Sequence, residues 1–348
     1  MLEFLKKCLK IGKLFLLYWR RIIFVRNKYK VSFFTKLRAN IFGGYLADQY
    51  ILYDFKHNDK KQYLSEFDWY RSRYINEPFD FLMNNKIACT EILKQYVNTP
   101  KIFALRHKDI VSNMGEGLLS YDDVMSILEK ENNLFMKPYG AGKGTGVYRF
   151  AYEDNKYYID EKPVDRESII KHLKENKKWI LCETVNQHDY ANRLYDKTFN
   201  TIRLITLRDI HTNEFKIFFA VQRIGTKETI PVDNGSRGGL VSKIDLDTGE
   251  LSEARCLHNL NVFKKHPDSN NPIEGVIIPN WENIKKEMLE LTNKLPYMYF
   301  IAWDIIITPD GISVIEANTS SGVNIIQLWG GQRYGELGDF YRHHRAIK

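Results

Sequence analysis

A dense group of glycines follows a lysine in the stretch FMKPYGAGKGTGVYRF, residues 135–150. Lys137 ends a short apolar run, and the glycines stand at alternate positions: Gly140, Gly142, Gly144 and Gly146. Every glycine costs conformational entropy, so this density indicates close approach of the backbone to a ligand, very often a phosphate. Two common phosphate loops are excluded, because Lys143 is followed by glycine and the third glycine is out of step with the dinucleotide fingerprint. The stretch therefore predicts a flexible turn that closes over phosphate.

A second group of reactive side chains lies in FIAWDIIITPDGISVIEAN, residues 300–318. Its Pro-Asp-Gly sequence is typical of a three-residue hairpin loop. That loop brings Asp304 opposite Glu316, with Asn318 two residues further along the same face. Two facing carboxylates repel each other unless a cation binds them, and hard oxygen ligands suit Mg²⁺ held together with phosphates. The alternative is that these are polar residues on the outer face of a half-exposed hairpin.

A third candidate is the strand TFNTIRLITL, residues 198–207, in which Asn200 and Arg203 are the polar members. An arginine within an apolar strand must reach a partner. A phosphate or acyl-phosphate oxygen matches the planar fork of its guanidinium group. An internal salt bridge is the competing interpretation.

The elements that position these residues change in character along the chain. Helical periodicity predominates over about the first 130 residues, and a capped helix is predicted at 120–132. From Leu134 onward, runs of β-branched and aromatic residues between Gly, Asn and Asp turns predict strands. Helices at about 165–176 and 281–295 interrupt them. The fold class predicted is α+β.

Charge is concentrated at one end of the chain. Residues 1–47 hold eleven Lys/Arg and one acid, whereas the whole chain of 348 residues has a formal net charge of +8. The apolar runs in this arm are shorter than the ~20 residues of a membrane-spanning helix. They predict a basic amphipathic helix that either lies on an anionic membrane surface or packs on the body of the protein. No nucleic-acid partner is expected, since no binding motif accompanies the charge.

The cysteines are widely spaced and form no Cys-x-x-Cys pair. Their spacing argues against a structural zinc site or a disulfide framework and favours a reducing cytoplasm. Cys182 lies in an apolar run, which predicts a buried, inert thiol rather than a nucleophile.

Seven segments, in order from about Asn85 to Asn318, resemble the sugar-transfer-associated family of ATP-grasp enzymes, found with bacterial surface-polysaccharide genes. The similar segments are NKIACTEIL, FMKPYGAGKGTGV, CETVNQH, FNTIRLITL, VDNGSRGGLVSKID, HPDSNNPIEGVIIPNW and AWDIIITPDGISVIEAN. The resemblance implies an ATP-grasp fold, in which two α+β subdomains grip ATP. It implies an N-terminal part (76–132), a lid subdomain (133–190) and a C-terminal subdomain with the magnesium hairpin (191–348), preceded by a basic amphipathic helical region (1–75) that lies outside the resemblance.

The resemblance also assigns roles to individual residues. Lys86 and Lys137 would contact ATP phosphates, and the glycine loop would be the lid, with Lys143 either adding charge or remaining solvated. The segment after Cys182 would surround adenine and ribose through Glu183, Thr184, Val185, Asn186, His188 and Asp189. His188 is expected to stack on the base or to be exposed, with a general base as the alternative. Asp233, Asn234 and Arg237 would line the acceptor side, where Arg237 would hold a substrate carboxylate.

The implied activity is an ATP- and Mg²⁺-dependent carboxylate–amine ligase that forms an acyl phosphate and then an amide. Its expected substrates are small-molecule or sugar-linked carboxylates and amines of capsule or exopolysaccharide synthesis, in the cytoplasm or on the inner face of the membrane. The expected catalytic set is Arg203, Lys137, Asn200 and Arg237. Two alternatives remain: a small-molecule kinase with the same ATP site, and a nucleotide-binding module without catalysis.

Overall fold

The computed structural model describes residues 2–26, 29–115, 117–140 and 146–348. The predicted loop residues Gly142, Lys143 and Gly144 lie outside the described residues. The α-helices of the described residues are α1 (Leu2–Tyr18), α2 (Phe33–Gly43), α3 (Ala47–Leu52), α4 (Glu66–Ser72), α5 (Asp80–Asn84), α6 (Lys86–Leu93), α7 (Tyr121–Glu131), α8 (Arg166–Glu175), α9 (Asp189–Leu194), α10 (Trp281–Asn293), α11 (Val323–Ile326) and α12 (Glu336–His343).

The strands form two sheets in which every pairing of neighbouring strands is antiparallel. The first sheet, in the order β2-β1-β7-β3-β4-β5-β6, contains β1 (Ile102–His107), β2 (Ile110–Ser112), β3 (Asn133–Lys137), β4 (Tyr148–Glu153), β5 (Lys156–Ile159), β6 (Lys162–Val164) and β7 (Lys178–Glu183). The second, in the order β12-β11-β10-β9-β8-β13-β14, contains β8 (Ile202–Arg208), β9 (Phe215–Ile224), β10 (Leu240–Ile244), β11 (Leu251–Cys256), β12 (Val262–Phe263), β13 (Phe300–Thr308) and β14 (Gly311–Asn318). The predicted α+β class is confirmed.

The first sheet has one face covered by helices and one face turned to the second sheet. Leu134 and Met136 of β3 pack in the core beneath α7 and α8. Successive side chains of a strand point to opposite faces, so Phe135 and Lys137 point the other way. Phe135 meets Phe199, which precedes the second sheet, with ring centroids 5.0 Å apart. Alternation along β3 thus turns the predicted phosphate-binding lysine towards the space between the sheets.

The second sheet changes character along one of its faces. On strands β8, β9 and β13 the apolar residues of this face pack against α12 and the segment before α4. Further along the same strands the face carries Arg203, Arg223 and Asp304, which line a cleft instead. The opposite face packs α10 and the helices α5 and α6 in the largest core. One end of the sheet face therefore builds the core and the other builds a charged floor.

The hairpin of β13 and β14 differs from its prediction in the turn and agrees with it at the carboxylates. The loop has two residues, since Thr308 pairs with Gly311 rather than with Ile312. A bulge between Asp304 and Ile305 then shifts the register by one residue and restores the pairing of Asp304 with Glu316. A two-residue loop alone would have turned Asp304 to the other face, and the bulge reverses that slip.

The helices before β1 belong to the second sheet's layer rather than to a separate body. Asn76 donates to the carbonyl oxygen of Phe300 at 2.6 Å, and Gln327 donates to that of Leu64 at 2.9 Å. Residues 102–112, within the predicted N-terminal part, share the first sheet with 133–183, within the predicted lid subdomain.

Candidate functional site

A cleft of about 830 Å³ lies between the two sheets. Its walls come from β3, β7, β8, β9, β13 and β14, from the segment before β10, and from the helical N-terminal part. Eleven predicted site residues line it: Lys86, Lys137, Gly140, Glu183, Val185, Arg203, Asp233, Asn234, Asp304, Glu316 and Asn318. Segments far apart in sequence, the early lysine strand and the late hairpin, thus meet at one site.

An arginine–aspartate–arginine cluster forms the floor of the cleft. Arg203 Nε lies 2.5 Å from Asp304 Oδ1, and Arg203 Nη2 lies 2.8 Å from Oδ2. Arg223 Nη1 lies 3.2 Å from Oδ2 of the same carboxylate, and its Nη2 lies 2.7 Å from Asp233. Burial tends to raise the pKa of the Asp304 carboxyl, but the two arginines outweigh it and hold that pKa below its ordinary value. The internal ion pair, the competing interpretation for Arg203, is therefore present.

Lys86 and Glu316 form a second ion pair beside this floor. Lys86 is the first residue of α6, and its Nζ lies 3.2 Å from Glu316 Oε2. Its backbone N–H donates to the carbonyl oxygen of Tyr139 at 3.1 Å, which ties the helix start to the end of the lysine strand. The facing carboxylates are thus already balanced by side-chain cations, so their repulsion by itself does not require a bound metal ion.

The donors expected for magnesium nonetheless share one face of the hairpin. Asp304 pairs with Glu316 across the strands, and Asn318 lies two residues on, opposite Ala302. Among the described residues no group of three or more His, Cys, Asp or Glu could hold a metal ion. A site here would depend on the two carboxylates, the Asn318 amide oxygen and oxygens of the ligand itself, which is the mixed ligand set typical of Mg²⁺.

The lysine strand, Gly140 and Val147, on the two sides of the glycine loop, line the same cleft, whereas Gly146 does not line it. Lys137 is half-buried and lines it together with Pro138 and Gly140. Gly146 adopts a φ of +76°, a left-handed conformation that favours glycine. Burial raises the pKa of the neighbouring Cys182 thiol, which agrees with the inert cysteine expected from the sequence.

The segment expected to surround adenine borders a second cavity of about 520 Å³. Glu183 and Val185 line both cavities, whereas Thr184 and Asn186 line only the second. The Glu183 carboxylate accepts from the Lys101 backbone N–H at 3.1 Å, which fixes its direction. The segment of residues 183–186 therefore lies between two cavities.

His188 and Asp189 lie outside both cavities, contrary to their expected place near the ribose. His188 is the N-cap of α9, where its Nδ1 accepts from the Tyr190 backbone N–H at 3.1 Å. Asp189 is in the first turn of the same helix, where a carboxylate stabilises the helix dipole. Helix capping explains both residues.

Asn200 and Arg237 do not reach the cleft either. Asn200 is fully buried, and its amide donates to the carbonyl oxygens of Ala191 at 2.9 Å and Tyr195 at 2.7 Å. Its oxygen accepts from Thr198 and from the Gly225 N–H. With all four bonds made inside the protein, Asn200 has a structural role. Arg237 is exposed and does not line the cleft.

Sequence reasoning missed Arg223 and the aromatic end of the cleft. Arg223 stands in the apolar strand FKIFFAVQRI, the signal that singled out Arg203. Trp69 and Tyr70 of α4 also line the cleft, with their rings stacked at 5.0 Å between centroids. Helical spacing alone did not distinguish these two residues from core aromatics.

Two antiparallel sheets that enclose a cleft lined with lysines, arginines and a carboxylate hairpin define an ATP-grasp fold. The sequence matches the family described as sugar-transfer associated ATP-grasp over residues 67–335. Because that match covers most of the 348 residues, the chain belongs to this family. No curated protein matches the sequence.

Solved structures that resemble the chain include ligases and a synthetase that are distant from it in sequence. D-alanine–D-alanine ligase from Helicobacter pylori is 13% identical, with 77% of this chain and 62% of that chain covered and a TM-score of 0.43. L-amino acid ligase from Bacillus licheniformis is 13% identical, with 72% and 44% covered and a TM-score of 0.39. The N5-carboxyaminoimidazole ribonucleotide synthetase from Thermotoga maritima is 9% identical, with 68% and 42% covered and a TM-score of 0.36. The chain thus corresponds to less than two thirds of each of these structures.

Among the described residues, no helix combines the length and the apolar character of a membrane span.

Proposed function

We propose that the protein is an ATP- and Mg²⁺-dependent carboxylate–amine ligase that modifies a sugar acid or an amino acid in capsule or exopolysaccharide synthesis. The observation that supports it most is the meeting in one cleft of Lys86, Lys137, Arg203 and Arg223 with the oxygen donors of the hairpin. Membership of a family described by its association with sugar transfer supports the substrate class.

In this proposal the cations of the cleft bind and orient the triphosphate. Lys137, on its strand, and Lys86, at the start of α6, contact phosphate oxygens, and backbone N–H groups of the glycine loop close over them. Asp304, Glu316 and Asn318 would hold Mg²⁺, which would neutralise phosphate charge when bound. Entry of the nucleotide replaces Glu316 as the partner of Lys86, so the ion pair found in the structure holds both groups in place beforehand.

The reaction then consists of two displacements. An oxygen of the substrate carboxylate attacks the γ-phosphorus, and the bond from that phosphorus to the ADP oxygen breaks, which gives an acyl phosphate and ADP. The amine nitrogen next attacks the acyl carbon, the bond to the phosphate oxygen breaks, and the nitrogen loses a proton. Arg203 and Arg223 stabilise the developing negative charge, since such transfers depend mainly on positioning and charge neutralisation.

The test is an ADP-release screen of sugar acids against amino acids and amines, with mass spectrometry of the products. The ligase hypothesis requires ADP release that depends on both substrates, with free phosphate and a new amide. ADP release with phosphate retained on the product would identify a kinase instead. A module without catalysis is indicated if Asp304→Ala leaves ADP release at the level of the unaltered chain.

The proposal includes a location in the cytoplasm on an anionic membrane surface, which residues 1–47 contact. Their net positive charge supports it, because the negative surface potential of the cytoplasmic leaflet attracts basic segments.

A further inference from the structure

The helix α1 turns apolar residues away from the protein. Leu5, Leu9 and Leu16 lie on one side of it, since they are spaced by four and seven residues, and Leu9 and Leu16 are 66% and 68% exposed. The side towards the body makes contacts through Tyr18, which packs on Phe67 with ring centroids 5.1 Å apart, and through Lys10, which lies over the Tyr74 ring. A surface helix of a globular protein normally shows the reverse pattern, with its apolar side buried.

The apolar exposure continues onto the neighbouring elements. Of 21 large hydrophobic residues exposed in the described residues, ten lie before residue 42, including Trp19, Phe24, Phe33 and Phe34. A concentration of this kind in one ninth of the chain marks an interaction surface. We call the exposed sides of α1 and α2, with the residues between them that the structure describes, the arm surface.

The charge of the arm surface indicates what covers it. Exposed cations, among them Lys13, Arg20, Arg26 and Arg38, surround the apolar residues. Residues 1–47 carry a balance of eleven basic residues to one acid. A second copy of the chain would bring the same positive charge against it, which is unfavourable. An anionic bilayer accepts both features, because apolar side chains enter the headgroup region while the cations bind lipid phosphates.

The cleft opens beside this surface. Leu17 and Arg21 of the same helical segment line it, together with Arg73 at the end of α4. Arg21 and Arg73 are both exposed and both line this end of the cleft, beside Trp69 and Tyr70. Two arginines that line the same part of a cleft suit a phosphate group, because a guanidinium group can bind a phosphate through two parallel hydrogen bonds. The arm surface and this end of the cleft are separated by one helix, about 10 Å in diameter.

We propose that the arm surface docks on an anionic lipid leaflet and that the cleft takes a substrate anchored in this leaflet by a lipid that carries phosphate. Arg21 and Arg73 bind the lipid phosphate, and the reacting group lies beyond it in the cleft. The chemistry of that group rests on the proposed function, whereas docking and phosphate binding do not.

Docking is tested by sedimentation of the 348-residue chain with vesicles of phosphatidylcholine alone or with 30% phosphatidylglycerol. We expect at least tenfold tighter binding to the anionic vesicles, reduced by 0.5 M salt. The variant L9E/L16E is expected to bind the anionic vesicles at least tenfold more weakly than the unaltered chain. The matched control L118E/L260E alters two exposed leucines far along the chain and is expected to bind normally, since Leu118 is 79% exposed outside the arm.

A probe on the unaltered sequence gives a second measurement of docking. Cys8 is exposed on α1, while Cys89, Cys182 and Cys256 are buried, so a thiol-reactive, environment-sensitive dye labels Cys8 selectively. Anionic vesicles are expected to shift its emission to shorter wavelength and to raise its intensity at least twofold. Docking is overturned if the chain shows no preference for anionic vesicles, or if L9E/L16E and L118E/L260E lose vesicle binding equally. It is also overturned if the chain binds no vesicles but forms a dimer that L9E/L16E dissociates.

Phosphate binding is tested by calorimetry with dodecyl phosphate below its micelle concentration, and with inorganic phosphate for comparison. R21Q/R73Q is expected to weaken dodecyl phosphate binding at least tenfold. The matched variant R26Q/R38Q removes the same amount of positive charge outside the cleft. It is expected to change the affinity for dodecyl phosphate less than twofold. Equal effects of the two pairs, or inorganic phosphate bound as tightly as dodecyl phosphate, overturn the lipid-anchored substrate. If ADP release fails in every screen while these results hold, the proposed function falls and this inference stands.

Discussion

Arg203 and Asp304 face each other across neighbouring strands and form a two-pronged ion pair on the floor of the cleft. Both side chains are largely removed from solvent, at 14% and 9% exposure. Arg223 approaches the same carboxylate from the next strand but one. The residues expected to act on phosphate and metal are therefore also part of the structure that holds the sheet face together.

Replacing Asp304 by asparagine is expected to destabilise the protein as well as to remove activity. The change keeps the shape of the side chain but leaves two arginines with less compensation, and removing one partner of a buried ion pair costs about 3–5 kcal/mol. Urea unfolding followed by circular dichroism measures the loss. Asp310→Asn, in the exposed turn of the same hairpin, is the control and should change stability by less than about 0.5 kcal/mol. Equal stability of the two variants would show that the cluster contributes little.

Glu316→Gln is expected to distinguish the contribution of Mg²⁺ to nucleotide binding from the contribution of Lys86. Loss of the carboxylate weakens ATP binding in the presence of Mg²⁺ at least tenfold, because one hard oxygen ligand is missing. Binding of ADP without metal is expected to be unchanged or tighter, since Lys86 loses the partner 3.2 Å away. Titration calorimetry with and without Mg²⁺ measures both. Glu274→Gln, in a surface ion pair with Lys264, serves as the control, and an unchanged Mg²⁺ dependence in Glu316→Gln would remove Glu316 from the metal site.

Asn200→Ala is expected to affect folding and not binding. The substitution removes the Asn200 partner of the Tyr195 carbonyl oxygen and of the Gly225 N–H in a buried region, and it leaves the Ala191 carbonyl oxygen with only the Tyr195 N–H. Unsatisfied buried groups of this kind cost about 1–3 kcal/mol. Thermal unfolding should show the loss, while ATP affinity below the transition stays within twofold. Asn293→Ala, on the exposed side of α10, is the matched control; a lower ATP affinity with normal stability would restore Asn200 to the site.

His344 is expected to make the protein less stable in acid. Burial, with a smaller contribution from His343, lowers the pKa of His344 from 6.5 to about 4. The unfolded chain therefore binds a proton in a range where the folded chain does not, so stability is full above pH 6.5 and falls as the pH decreases towards 4. Urea unfolding at pH 7.5 and pH 5 measures the difference.

His344→Gln should show a smaller fall in stability between these two pH values than the unaltered chain. The exposed His211→Gln is the control and should retain the full fall. An unchanged pH dependence in His344→Gln would mean that other groups are responsible.

Local sequence signals predicted most of the elements correctly. The helix at 120–132 is present as α7, with Ser120 and Asp123 forming a capping box. The predicted helices near 165 and 281 are α8 and α10. Capping residues, periodicity and turn chemistry act over a few residues, so one sequence suffices to detect them.

In the hairpin of β13 and β14 the predicted loop length is wrong, but the predicted pairing of Asp304 with Glu316 is correct. Turn chemistry at 309–311 predicted three loop residues, and the structure has two. The bulge beside Asp304 corrects the register, and nothing in the turn sequence indicates it. Arg203 and Asp304 pair over a separation of 101 residues, so their contact depends on the order of strands in the sheet.

The sequence alone determined the family, the α+β class, the lysine strand and the alignment of Asp304 with Glu316, because these depend on residue types and short spacings. The tertiary structure decided which polar residues face the cleft and which form hydrogen bonds within the protein instead. It joined Arg223 and Lys86 to the carboxylates, and it assigned Asn200 and His188 to backbone hydrogen bonds. The reason is that a side chain's partners are set by which strands and helices pack together, and the residues brought together in this way lie far apart in the chain.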